Sequence, residues 1–424
     1  MDFLYNPIKV LGDLVRGLIE GIFGVGLMAD IVTMALAALV LMTITAVSFM
    51  YLTYAERKIV ARIQDRIGPN QAGPFGLLVP LADGVKMFTK EDTTPRAADR
   101  WIFNISPIII AAFALTSYAV LPVSPGVVGT ALNVGVMYSI AIGSGAIIAI
   151  IMAGWGSNNK YALLGAFRTV AQLVGYEVTM ILNVLPVIAL TGSMSLIDIV
   201  ARQMGNPELG LPGIPFIIYF PLSALVFLIS GIAETARSPF DLLEAESEIV
   251  AGFHTEYSGM KFAMFFLGEY VNALAVAIIF ATLFLGGYAG PVLPPIVWLL
   301  IKVAAIFTIF MWLRGTLPRV RVDQMHDMNW KFFVPLSIVN LIIVLLLGKI
   351  FVPTEAMQKD IGGIVVGHPG QAAIFCITSL LTLLAGLALA ARNLRTQRLA
   401  DEQVRAARIA ENQLAAGRAT VGGK

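Results

Sequence analysis

Carboxylates crowd one short stretch of an otherwise apolar chain. The segment Ala233–Gly252, AETARSPFDLLEAESEIVAG, carries Glu234, Asp241, Glu244, Glu246 and Glu248 against a single cation, Arg237, and Glu256 follows shortly after. Carboxylates packed together cannot all ionise cheaply, because each raises its neighbour's proton affinity and partial burial raises it further. A row of that kind holds protons near neutral pH and can pass them on. The alternative is a solvated acidic loop, but the segment is half apolar and no lysine balances it. Within it, Ser238-Pro239-Phe240-Asp241 predicts a helix start, with serine as N-cap and proline in the first turn. The predicted helix runs to about Gly252. It puts Asp241, Glu244 and Glu248 on one face and turns Glu246 elsewhere.

Ionisable residues also interrupt the apolar runs. Glu177 stands in QLVGYEVTM, about a third of the way along its predicted helix, Glu269 in FFLGEYVNAL and Lys302 in WLLIKVAAIF. Charges inside membrane spans are costly and default to function; a buried pair with no transport role is the alternative. A second group of charges opens the chain's first basic loop, YAERKIVARIQDRIGPNQAGPFGLLVPLADGVKMFTKED, where Glu56, Arg57 and Lys58 fall where the first span meets water. Gly68-Pro69-Asn70 and Gly73-Pro74 are turn signals. Phe75–Lys90 reads as an interfacial helix, kinked or started at Pro80. An arginine-rimmed crevice beside such a helix suits a lipid-soluble ligand with a polar head, and simple anchoring is the competing reading. A later loop, RGTLPRVRVDQMHDMNWK, is basic at Arg314, Arg319 and Arg321; alone it is a positive-inside signal, and facing the acidic loop it could supply counter-charges.

The elements that must hold these groups follow from composition. The chain has 424 residues, 58% hydrophobic and 13% charged, with mean hydropathy +0.82. A soluble domain carries about 25% charged residues. Apolar runs of about 20 residues recur, each long enough to cross a bilayer core. Lipid offers a free backbone amide no partner, so such spans are helical. The expected class is an all-α, polytopic integral membrane protein. Nine spans are predicted, at about Ile31–Tyr54, Trp101–Leu121, Val134–Gly154, Leu163–Leu190, Ile214–Ile232, Phe262–Leu285, Pro294–Leu313, Phe332–Phe351 and Gln371–Ala391. Ahead of them Pro7–Phe23 has apolar residues at helical spacing and predicts an amphipathic helix lying on the membrane. It lacks the basic start and unbroken apolar centre of a signal peptide.

Lys and Arg number 29 and, apart from Lys9, Arg16, Arg202, Lys302, Lys349 and Lys359, fall on one side of this topology. The positive-inside rule makes that side cytoplasmic, with the amino terminus outside and the carboxyl terminus inside. The tail after Ala391 reads as a basic helix near anionic lipid heads or as a docking helix. A lone cysteine, Cys376, excludes an internal disulfide and a cysteine-held cluster, and His254, His326 and His368 are too far apart for a local metal motif. No metal site is expected, and nothing in the chain carries electrons.

Together these motifs resemble one family, the H-type membrane subunit of respiratory complex I, the proton-translocating NADH:quinone oxidoreductase. The resemblance rests on AERKIVARIQDRIGPNQAGPFGLL…ADGVKMFTKED, LLGAFRTVAQLVGYEV, AETARSPFDLLEAESEIVAGFHTEYSGMKFAMFFLGEY and RGTLPRVRVDQM…WK, in that order. It implies an eight-helix core over residues 28–351, preceded by an interfacial segment 1–27 and followed by an additional span within 352–391 and a basic tail 392–424. It implies partners: the iron–sulfur and 49 kDa-type peripheral subunits, small adjacent membrane subunits, quinone and membrane lipid, with no nucleic acid. NAD and iron–sulfur clusters would sit in those partners, and no cofactor in this chain. It assigns Glu177, Glu234, Asp241, Glu244, Glu246, Glu248, Glu256 and Glu269 to a proton path, which Lys302 joins as an intramembrane charge. Glu56, Arg57, Arg66, Arg237 and Arg319 become candidates for the quinone chamber. Competing readings are the homologous component of a membrane-bound hydrogenase or ferredoxin-linked complex, and a stand-alone ion transporter.

The orientation generates the first prediction. A tag placed after Lys424 is expected to react with an impermeant label only from the cytoplasmic side; labelling from the other side alone would break the nine-span topology.

Overall fold

In the computed structural model, residues 7–206, 211–241, 250–350 and 369–392 are described. Glu244, Glu246 and Glu248, with the basic tail beyond residue 392, lie outside the described residues. The helices, in chain order, are α1 (Pro7–Phe23), α2 (Leu27–Ile63), α3 (Val79–Thr89), α4 (Arg100–Val120), α5 (Gly135–Gly156), α6 (Lys160–Thr191), α7 (Leu196–Gln203), α8 (Pro221–Glu234), α9 (Gly259–Phe284), α10 (Pro295–Thr316), α11 (Val322–Ile350) and α12 (Pro369–Arg392). Eight of them, all but α1, α3, α7 and α8, are long and apolar enough to cross a membrane. Among the described residues the extended structure is a two-residue antiparallel pair, Gly205–Asn206 with Leu211–Pro212, and one isolated bridge. The all-α, polytopic class is therefore the fold.

Helix starts follow local chemistry. Asp99 caps α4 by accepting from the Trp101 amide, and Asn159 caps α6 by accepting from Tyr161. Such caps satisfy one of the four orphan amides of a helix start. Central helices carry the burial: 56% of the apolar window of α6 and 50% of that of α9 are buried, against 6% in α2. The outer helices leave their apolar faces to lipid, while α6 and α9 are wrapped by protein.

Several expectations need correction. The first span does not end near Tyr54. Helix α2 continues to Ile63, carrying Glu56 and Arg57 on its last turns. At 1.5 Å per residue it is about 55 Å long, well beyond a bilayer core. The last basic loop is shorter than predicted, because α11 begins at Val322 and passes through a π-helical stretch, Met328–Phe333, before continuing. Glu177 lies near the middle of α6 rather than a third of the way along. Ser238 does not cap a helix. Instead Arg237–Phe240 closes a turn, with the Phe240 amide donating to the Arg237 carbonyl at 2.8 Å across a cis Ser238–Pro239 bond.

The predicted span Ile214–Ile232 is also discontinuous. A single turn, Phe216–Tyr219, stops at Phe220, and α8 starts at Pro221. Proline pushes the residue before it out of the helical region, and Phe220 sits at φ −128°, ψ 61°. At about 21 Å, α8 is a short helix whose start is buried. An orphan amide there needs a partner, and Ser379 of α12 supplies it: the Leu222 amide donates to Ser379 Oγ at 3.1 Å. Asn340 of α11 donates to Ser223 Oγ at 2.9 Å one residue further on. Phe375 of α12 packs between Tyr219 and Phe220.

Leaving a buried amide unpaired costs about 1–3 kcal/mol. Ser379→Ala is therefore expected to lower the thermal midpoint and to speed hydrogen exchange at Leu222, with Ser379→Thr restoring protection. Unchanged exchange at Leu222 in the alanine variant would show that the bond contributes nothing.

Candidate functional site

The site is assembled from α6 outwards. Gln172, fully buried on α6, donates through Nε2 to the Ala233 carbonyl at 2.7 Å and to the Phe240 carbonyl at 2.9 Å. The first bond satisfies a carbonyl at the end of α8, and the second fastens the turn that follows. One amide thereby sets the positions of both Glu234, the last residue of α8, and Arg237. On its other side α6 is locked to α11 by Thr179 donating to Asn329 Oδ1 at 2.5 Å and by Asn183 donating to Ser337 Oγ at 2.8 Å.

Arg237 is 5% exposed and turns inward. Its Nη1 donates to both carboxylate oxygens of Glu56, at 2.8 and 2.7 Å, and its Nη2 lies 3.3 Å from Glu269 Oε1. The guanidinium stacks over the Tyr270 ring, 4.0 Å from its centroid. Arg314 of α10 pairs with the same Glu56. Two arginines and two glutamates from α2, the Arg237–Phe240 turn, α9 and α10 thus form one charge-balanced network, buried at Glu56 and Arg237 and half-buried at Glu269 and Arg314. Glu56, expected at the water boundary, is 4% exposed, because the longer α2 carries it past Tyr54 and turns it towards the bundle.

Beside this network lies a cavity of about 70 Å³, lined by Glu177, Glu234, Glu269, Asn272, Thr235 and His254 among apolar side chains. It brings together three of the predicted carboxylates, each from a different helix. The Ser144 hydroxyl of α5 donates to Glu177. Gly143 permits the approach of α5 to Glu234: a Cβ there would stand 3.3 Å from Glu234 Oε1. Among the described residues no ion pair reaches Glu177 or Glu234. A second cavity, about 20 Å³, shares Glu234, Asn272, Gly143 and Ser117 and continues along α5 and α9 towards Ser139 and Leu283.

Other predicted residues fall elsewhere. Asp241 is half-buried at the end of the turn. Arg319 is half-buried on a segment tied to that turn, where the Val320 amide donates to the Pro239 carbonyl at 3.0 Å. Glu256 accepts from Asn159 Nδ2 at 2.7 Å and does not line the cavity. Arg57 and Arg66 are exposed; Arg57 pairs with Asp83 of α3 at 2.8 Å and Arg66 donates to Gln64 at 2.7 Å. Lys302 is remote from the acids. Its Nζ donates to the carbonyls of Leu285, Gly287 and Ala289 at 2.7, 2.9 and 2.6 Å. It neutralises the carbonyl end of α9, where the helix dipole favours a cation, about 24 Å along the helix from Glu269.

Sequence reasoning missed Gln172 and His254. His254 is 5% exposed, in a short turn, Gly252–His254, laid against α6. That approach requires glycine on both sides: a Cβ on Gly165 would stand 2.8 Å from the Gly252 backbone, and Gly252 has φ +62°. Phe253, Phe262 and Phe266 surround the ring edge to face. Burial pushes the imidazole pKa down from 6.5 to about 4, so it is neutral at neutral pH. The pair Gly165 and Gly252 was the available signal, but only a contact between distant segments gives it meaning.

Fold and site define a class: a multi-span helical membrane protein with half-buried carboxylates gathered on one cavity beside a charge-balanced ion network. Comparison with known proteins narrows it. The sequence model of the NADH dehydrogenase family matches residues 36–345. The H subunit of NADH-quinone oxidoreductase from Dehalococcoides mccartyi strain CBDB1 is 48% identical over 297 residues, 70% of this chain and 82% of that protein. The second H subunit of the Geobacter sulfurreducens enzyme is 47% identical over 318 residues, covering 73% and 93%. The H subunit of the Rhodospirillum rubrum enzyme is 46% identical over 318 residues, covering 73% and 92%. The chain belongs to this family of complex I membrane subunits, as its motifs imply. Helix α12 lies beyond the matched residues.

Breaking a buried ion pair by removing one partner costs about 3–5 kcal/mol. Arg237→Leu is therefore expected to lower the thermal midpoint of the assembled complex sharply, and adding Glu56→Gln to recover part of the loss, since the two residues are coupled. Equal midpoints for wild type, single and double variants would show that the network does not hold the fold.

Proposed function

We propose that this chain forms part of the wall of the quinone chamber of NADH:quinone oxidoreductase and passes the consequence of quinone reduction into the membrane as protons. The observation that carries the reading is the meeting of Glu177, Glu234 and Glu269 on one cavity, with Glu269 also held by Arg237. Reducing a quinone to a quinol takes two electrons and two protons, so the surroundings of the chamber lose protons and change charge. In this reading the electrons come from NADH through clusters in partner subunits, and the chain supplies the walls and the proton carriers. Carboxylates that share one cavity and interact strongly give up their protons as a coupled group rather than singly. A charge change at Glu56, or a displacement of the fixed Arg237 cation, alters the field on Glu269, and through it on Glu177 and Glu234.

The arginine-bearing end of the bundle, with Arg57, Arg66 and Arg319, faces the cytoplasm in this reading and meets the iron–sulfur and 49 kDa-type subunits. The crevice between α2 and α3, where Tyr54 donates to the Phe75 carbonyl at 2.7 Å, admits the quinone from the lipid. The exposed apolar faces of α1 and α3 rest on the membrane. Asp241, Glu256 and the acids at 244, 246 and 248 carry protons between the chamber and the cavity. A hydrogenase-linked homologue would keep the acids and reduce no quinone, so quinone reduction by the purified complex separates the two.

Glu234→Gln and Glu177→Gln preserve volume and hydrogen bonding while removing titration. In intact complex in liposomes, each is expected to lower quinone-linked turnover and proton uptake together, by about tenfold or more. Reduction of an artificial acceptor by the peripheral arm should be unchanged. Normal pumping at normal turnover in both variants would mean that these acids carry no protons.

A further inference from the structure

Two buried polar atoms on the wall of the larger cavity have no hydrogen-bond partner among the described residues: Glu234 Oε2 and His254 Nδ1. They come from different segments, the end of α8 and the Gly252–His254 turn. Buried polar atoms are nearly always paired, with protein or with ordered water. The cavity, about 70 Å³, has room for a few waters, since one water needs about 10–15 Å³ of such space. An oxygen and a nitrogen from two separate segments lining one space of that size are the polar partners such water requires.

We infer that His254 is a proton-exchanging residue of this cavity, joined to Glu234 by water. The inference rests on the proton-path reading above and adds to it a group that is not a carboxylate. The step is a proton transfer with no change of electrons. The Glu234 O–H bond breaks and its proton passes to the water. An O–H bond of that water chain breaks as the Nδ1–H bond forms, leaving a carboxylate and an imidazolium. The reverse step restores both neutral groups. The titratable side chains lining the cavity with the ring are Glu177, Glu234 and Glu269, and Arg237 stands behind Glu269. A carboxylate formed at Glu234 favours the imidazolium, whereas the aromatic wall of Phe253, Phe262 and Phe266 disfavours it when the acids are neutral. The ring therefore holds a proton only while a neighbouring acid is ionised, which makes it a relay and not a store.

The test uses the assembled complex in liposomes, with His254→Gln and His254→Asn beside Glu234→Gln. Glutamine and asparagine keep a hydrogen-bond acceptor for the water but cannot be protonated. The expected result is a loss of quinone-linked turnover of about tenfold in both histidine variants, with a changed solvent isotope effect and an unchanged artificial-acceptor rate. Wild-type rate, isotope effect and pH profile in either histidine variant, while Glu234→Gln is impaired, would overturn the role of His254 and leave the carboxylate path standing. Normal turnover and pumping in Glu234→Gln would bring down the path itself. If neither histidine variant assembles, the infrared difference spectrum of wild-type complex on quinone reduction decides. A histidine ring band accompanying the carboxyl change is expected, and a carboxyl change without it would refute the inference.

Discussion

A guanidinium removed from water has to be neutralised where it sits, and much of the described bundle is arranged around that requirement at Arg237. Two carboxylate oxygens of Glu56 and one of Glu269 meet it, and the Tyr270 ring covers its face. Each contact fixes a larger element. Glu56 can reach inward only because α2 stays helical past the apolar run that precedes it. Glu269 ties the middle of α9 to the same point, and Arg314 brings the end of α10 to Glu56. The turn that carries Arg237 is itself held by Gln172. Desolvating four charges is expensive, and mutual attraction in a low dielectric repays it only with good geometry and further hydrogen bonds. What the network ties together is three helices: α2, α9 and α10 meet at one point through it.

The same demand explains what the sequence made legible. Long apolar runs announce spans, so the eight long helices are found close to where hydropathy puts them, and α1 spans Pro7–Phe23 as its periodicity predicts. Acids inside apolar runs announce themselves too, and Glu177, Glu234 and Glu269 do share a cavity. Glu56 is misplaced by sequence reasoning because a charged cluster after an apolar run looks like the water boundary whether or not the helix continues. Gln172 is invisible because a neutral amide in a helix carries no signal until its two acceptors, far along the chain, are known. Pro221 stands in plain view, yet hydropathy averaged over a span runs straight across the break it makes. Lys302 looks like a partner for the acids; three carbonyls at the end of α9 claim it instead.

Helix α8 shows how a short, broken helix can be a precise mount. Its start is held by Ser379 of α12 and, at the next residue, by Asn340 of α11. Its end is held by Gln172 of α6. Side chains thereby take one orphan amide at its start and one carbonyl at its end, and backbone amides of the following turn take further end carbonyls. Of these three anchoring residues only Ser379 lies outside the stretch that the family model matches, so the mount is built from the family core and reinforced from beyond it.

The site consequently has two halves with opposite physical character. In one, Glu56 pairs with Arg237 and Arg314, with Glu269 completing the charge balance, and their value is rigidity. In the other, Glu177, Glu234 and His254 line a cavity with no cation paired to either acid among the described residues, so their protonation can change without breaking an ion pair. Glu269 belongs to both: Arg237 holds it at 3.3 Å, and it lines the cavity. In the proposed proton path a shift in the balance of the paired half would reach the unpaired half through this carboxylate, which both pairs with an arginine and lines the cavity. Rigidity on one side would make such coupling effective. Were the paired half soft, it would relax around a new charge instead of passing the field on.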